Sequence, residues 1–96
     1  MQYDPITFVE LKQTIDFGAD TYKKGIVLKP GMYEVIEWSH HNQTHADYRY
    51  DYIDLIKVDT RERIHFMLYT PDKYNKLFTV HTEFVLSNWY NYVFLA

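Results

Sequence analysis

Residues 47–58 read Asp-Tyr-Arg-Tyr-Asp-Tyr-Ile-Asp-Leu-Ile-Lys-Val, so rings and charges alternate with period two before the pattern passes into apolar residues. Successive side chains of an extended strand point to opposite faces, whereas a helix would scatter this pattern around its circumference. The segment therefore predicts a strand, with Tyr48, Tyr50 and Tyr52 on one face and Asp47, Arg49 and Asp51 on the other. A strand needs neighbours to satisfy its backbone, so the surrounding segments must supply them.

Residues 32–38 alternate as a second strand in which Met32, Glu34, Ile36 and Trp38 share a face. Lys29-Pro30-Gly31 before it has turn chemistry, because proline presets φ and glycine tolerates a positive one. Residues 39–46, Ser-His-His-Asn-Gln-Thr-His-Ala, are polar turn formers and predict a loop. A charged turn at 59–63 leads to a strand over 64–69, with Ile64, Phe66 and Leu68 facing one way. Thr70-Pro71-Asp72 begins a short helix through Lys73, Tyr74 and Leu77. Residues 80–86 and 89–95 predict two further strands. At the N-terminus, Asp4 before Pro5 suits a helix start, and Ile6, Phe8, Val9, Leu11 and Ile15 supply apolar residues at helical spacing. A helix is expected over residues 5–16, with Gly18 as its terminator.

Assembled, these elements predict an α+β, mostly β fold occupying residues 1–96 as one domain, since 96 residues support one core. An N-terminal helix precedes a β-rich barrel or roll over residues 25–95. Its five antiparallel strands, with a short helix between strands 3 and 4, follow the order of an OB-like barrel and also fit an SH3-like one.

The absence of cysteine removes disulfides, thiolate nucleophiles and thiolate-ligated zinc, and points to a reducing compartment. The first eleven residues lack a basic stretch followed by an apolar one, and no apolar run approaches the roughly 20 residues of a membrane helix. A cytoplasmic protein without membrane contact is expected. The net charge of −3 is uneven, because residues 32–59 hold six acids against Arg49 and Lys57, a balance of −4.

Little here assigns catalytic roles. Ser39 beside His40 is adjacency without a third group, and neither a nucleophile elbow nor a phosphate-cradling glycine loop is present. Glu34 and Glu37 are expected on opposite faces, which makes them poor partners for acid and base work. His40, His41 and His45 cluster, but with Asp47 alone nearby they form a weak ligand set, and His65 and His81 read as strand residues. The expectation is no enzyme, no catalytic residue, no metal and no cofactor.

Binding is the better reading, because ten tyrosines, six phenylalanines and two tryptophans supply amphipathic rings suited to interfaces. Tyr33, Trp38, Tyr48, Tyr50 and Tyr52 are candidate anchors for a protein partner. Asp47, Asp51 and Asp54, with Arg49 among them, would complement a basic patch on it. Small inhibitors encoded by viruses and mobile elements, directed at a nucleic-acid-handling host protein, are the analogy. The alternative is an OB-like module for single-stranded nucleic acid, stacking bases on Tyr48, Tyr50 and Tyr52 and holding phosphates with Lys57, Arg61, Arg63, Lys73 and Lys76. The central acids oppose that alternative. A second alternative is a structural subunit that self-associates as a homodimer.

Overall fold

The computed structural model describes residues 3–22, 25–42 and 49–86 of the chain. Strand β1 spans Tyr3–Leu11, β2 Ile15–Asp16, β3 Val27–Leu28, β4 Gly31–Asn42, β5 Arg49–Lys57, β6 Arg63–Tyr69 and β7 Phe78–Leu86. Short 3₁₀ turns lie at Gly18–Asp20, Pro71–Lys73 and Asn75–Leu77. The five long strands form one antiparallel sheet in the order β6-β5-β4-β1-β7, while β2 and β3 pair as a separate small ribbon.

Two expectations fail here. The N-terminal helix over residues 5–16 is absent: β1 lies inside the sheet between β4 and β7. Ile6 and Phe8 are buried on one face of β1, and Val9 and Leu11 on the other. A strand that buries both faces has apolar residues of both parities, and these imitate helical spacing. The threonine, valine, isoleucine and phenylalanine content of the segment favours the pleated form. The barrel is the second failure, because the sheet is open, running from β6 at one end to β7 at the other. The expected strand over 89–95 lies outside the described residues. What remains is a mostly β chain with one short helical stretch. That stretch is made of the two successive 3₁₀ turns that join β6 to β7.

One face of the sheet carries the core. Val9, Leu11, Tyr33, Ile53, Leu55, Phe66, Leu68 and Phe78 project from it and meet Ile15, Phe17 and Leu28 of the β2–β3 ribbon and Tyr74 of the 3₁₀ stretch. Phe17 stacks obliquely on Phe66 at 5.2 Å and edge-on to Tyr74 at 4.8 Å. Asp20 fastens this cover, accepting hydrogen bonds from the Tyr74 hydroxyl and from Lys73 Nζ. Tyr22 N donates to Met67 O at 3.0 Å, and Thr21 bridges Leu68, so the same segment also shields the backbone edge of β6.

Two local features shape the sheet. The β1–β4 ladder runs from Leu11↔Gly31 only to Phe8↔Glu34, whereas β1–β7 continues to Tyr3↔Leu86 and β4–β5 to Asn42↔Arg49. Beyond Phe8 the sheet therefore forks into a β1–β7 ribbon and a β4–β5–β6 ribbon. Pro5 lies in the forked part, where β1 has one neighbour among the described residues, the setting in which a strand tolerates proline. The second feature is a register shift in β4 between Val35 and Glu37. An extra residue there reverses the parity of every following side chain. Trp38 thus joins Tyr33 and Val35 on the core side instead of sharing a face with Glu34.

Candidate functional site around strand β5

Strand β5 sends its side chains to two different environments. On the outward face, Tyr50 pairs with Tyr69 of β6 and with His41 of β4, and Tyr52 pairs with Met67 and Ser39. The four β5 and β6 side chains are half-buried. The His41 ring is stacked on Tyr50 at 5.1 Å with an interplanar angle of 11°. Ser39 Oγ donates to Glu37 Oε2 at 2.9 Å and lies 3.0 Å from His41 Nε2, which ties the ring to its strand. A serine whose proton goes to a carboxylate is not a poised nucleophile.

On the core face, Asp51 shares parity with Ile53 and Leu55 and is fully buried. Trp38 Nε1 donates to its Oδ2 at 2.8 Å and His40 Nδ1 approaches Oδ1 at 2.6 Å. Arg49 Nε stands 3.8 Å from Oδ1, while its Nη2 donates to Asp72 at 2.8 Å. These partners satisfy a carboxylate that would otherwise be costly to desolvate. His40 retains 62% of its side-chain exposure while Asp51 has none, so the cluster reaches from the interior to the surface.

That cluster borders the fork. A cleft of about 380 Å³ opens between the two ribbons, with Val9, Val35, Trp38, Phe78 and Val80 as walls and His40 at its edge. Trp38 and Phe78 meet edge to face at 5.3 Å and 86°. Val80 and Phe84, of the parity of Phe78 and on the same side of β7, stay 65% and 68% exposed. The core face of β7 is thus covered at Phe78 and, among the described residues, exposed from Val80 to Phe84.

The structure distributes the expected site residues more widely than one surface. Tyr50 and Tyr52 share the outward face, but Tyr33 and Trp38 lie on the core side, so the expected aromatic face is not assembled from these four rings. Tyr33 is buried and donates its hydroxyl to Lys29 O at 2.6 Å; burial raises its pKa. Asp51 and Asp54 are buried, Asp54 under a two-bond clamp from Arg63 at 3.1 and 2.7 Å. Hydrogen bonding to Asp54 raises the Arg63 pKa. Asp47, Tyr48 and His45 lie outside the described residues. Of the expected phosphate contacts, Lys57 stands 3.9 Å from Asp59, and Lys73 is hydrogen-bonded to Asp20 with its pKa raised by it. Arg61 and Lys76 are exposed, in the β5–β6 connection and the 3₁₀ stretch.

Residues 39–42 belong to β4 and not to a loop, with His40 and His41 on opposite faces. Pairing with β5 overrides their turn-forming composition. The same register shift brings Glu34 and Glu37 to one face, opposite Ile56 and Asp54. No group of three or more potential metal ligands occurs among the described residues. No helix among them is long and apolar enough to cross a membrane. Comparison with protein-family models, curated proteins and solved structures returned no match.

Proposed function

We propose that the chain is a non-enzymatic binding module for a protein partner, contacting it through the outward face of β5 and β6. The observation that carries this reading is the registered patch of Tyr50, Tyr69, Tyr52 and Met67, with His41 stacked on its margin. Tyrosine and methionine are enriched at the centres of protein interfaces, and half-buried rings already held by a sheet lose little entropy on binding. Asp51 and Asp54 are buried and present no acidic surface to a partner. The patch instead sets rings beside a neutralised charge: Arg63, the cation nearest in register, is clamped by Asp54. Single-stranded nucleic acid would ask for free cations along such a row of rings. Inhibition of a nucleic-acid-handling protein is the particular form of this function that the composition suggests.

An affinity pull-down with quantitative proteomics tests it, comparing wild type, Tyr50→Ala/Tyr52→Ala and a control altered on the opposite face, Phe84→Ser. A specific prey lost with the tyrosine variant and retained with the control supports the reading. An unchanged prey list overturns it. Fluorescence anisotropy with labelled single-stranded DNA and RNA adds a second arm: salt-sensitive binding lost in the tyrosine variant would replace the protein partner with nucleic acid.

A further inference from the structure

The cleft in the fork is a site of a different kind, on the other side of the sheet from the tyrosine patch and independent of it. We infer that it binds a small, flat aromatic molecule carrying a hydroxyl group, of the phenol class. Its volume of about 380 Å³ suits a compact ligand, at the lower end of the roughly 300–1,000 Å³ of small-molecule pockets. Trp38 and Phe78, set at 86° to one another, form a corner in which a ring can stack on one wall and meet the other edge-on. Val80 extends that apolar surface. Such walls disfavour a charged ligand body, because they would desolvate it without a partner.

The polar complement comes from His40. Its Nδ1 is engaged by Asp51, and the Trp38 indole N–H is engaged by the same carboxylate. Trp38 therefore offers the ligand a ring surface, and His40 offers Nε2. A neutral imidazole presents Nε2 as an acceptor and a protonated one as a donor; a hydroxyl answers both. Thr7 and Asn75, which also line the cleft, can each donate and accept as well. The arrangement is more than core filling requires. A buried carboxylate is a poor source of stability, and here it fixes a histidine that remains 62% exposed. Fixing a ring before the ligand arrives is what a binding site gains from such a clamp.

Titration of the ¹⁵N-labelled protein with 4-methylphenol, and separately with toluene, tests the inference. Both compounds should shift the Trp38 indole N–H and the Phe78 and Val80 amides, with 4-methylphenol binding on the order of tenfold more tightly, the value of one good hydrogen bond. His40→Leu should abolish the difference and keep the toluene affinity. Val80→Trp, a substitution at an exposed position that fills the cleft, should abolish both titrations while leaving the rest of the spectrum in place. Absence of shifts in wild type, equal affinities for the two compounds, or unchanged binding in Val80→Trp would each overturn it.

Discussion

Strand β1 is treated differently along its two halves. From Phe8 to Leu11 it has a neighbour on each side, and its core face lies under the β2–β3 ribbon and the 3₁₀ stretch. From Tyr3 to Thr7 its one neighbour among the described residues is β7, whose Phe84, opposite Pro5, meets solvent, as does Val80 opposite Val9 at the boundary of the joined half. The same sheet thus serves as a closed core where the strands are joined and as an open, shaped surface where they part. Stability and recognition are graded along one strand and meet at Val9 and Phe78, which belong to both the core and the cleft. Substitutions away from that boundary should leave the other half largely intact, because sites well apart with no shared partners contribute independently.

The largest effects should come from the joined half. Leu55→Ala or Leu68→Ala removes a fully buried side chain and should cost about 2–5 kcal/mol in denaturant unfolding, whereas Phe84→Ala in the forked half should stay within about 0.5 kcal/mol. Comparable costs at the two places would break the distinction.

Next comes the seam between the halves. Asp51→Ala should cost roughly 1–3 kcal/mol by leaving the Trp38 indole N–H without its acceptor, and should move the indole N–H resonance strongly. Arg49→Met, which removes a half-exposed group 3.8 Å away, should cost about 0–1 kcal/mol. Equal losses would mean that the charge, not the tryptophan bond, holds the seam.

The smallest effect concerns the cover. The Tyr74 hydroxyl, and after it Lys73, holds Asp20 below the ordinary carboxylate range. A carboxylate depressed in the folded state contributes stability above its unfolded pKa of about 3.9 and loses it as pH falls through the folded value. Tyr74→Phe should therefore lower Tm by a few degrees at neutral pH, and the gap to wild type should shrink below about pH 4. A gap independent of pH would show that Tyr74 acts through its ring alone.

The strand character of β5 and β6 is legible in the sequence because each has one uniformly buried parity, Ile53 with Leu55 and Phe66 with Leu68. Strand β1 is not, because its buried residues have both parities and no local rule separates that from a helix. The tyrosines at positions 50 and 52 are legible as a face; their neighbours His41, Met67 and Tyr69 follow only from register. Asp51 carried a signal, since it shares parity with Ile53 and Leu55 and so marks an acid directed inward. Its partners Trp38 and His40 become partners only through the β4 shift, and a pairing register lies outside any single strand's pattern.

That shift has a consequence for how the chain can change. Ile36 is an uncompensated letter in a two-letter alternation, and everything in β4 after it is read in the opposite frame. Loss of that one residue would set Val35 directly before Glu37 in plain alternation and keep the pairs Glu37↔Asp54 and Trp38↔Ile53, so Trp38 and His40 would stay on the core side and Glu37, Ser39 and His41 on the outward one. A single-codon deletion at Ile36 would thereby spare the cleft's histidine and the outer ring stack, whereas one taken from the regular stretch after Glu37 would exchange the faces of the residues beyond it, while Tyr33 and the residues before it kept their places.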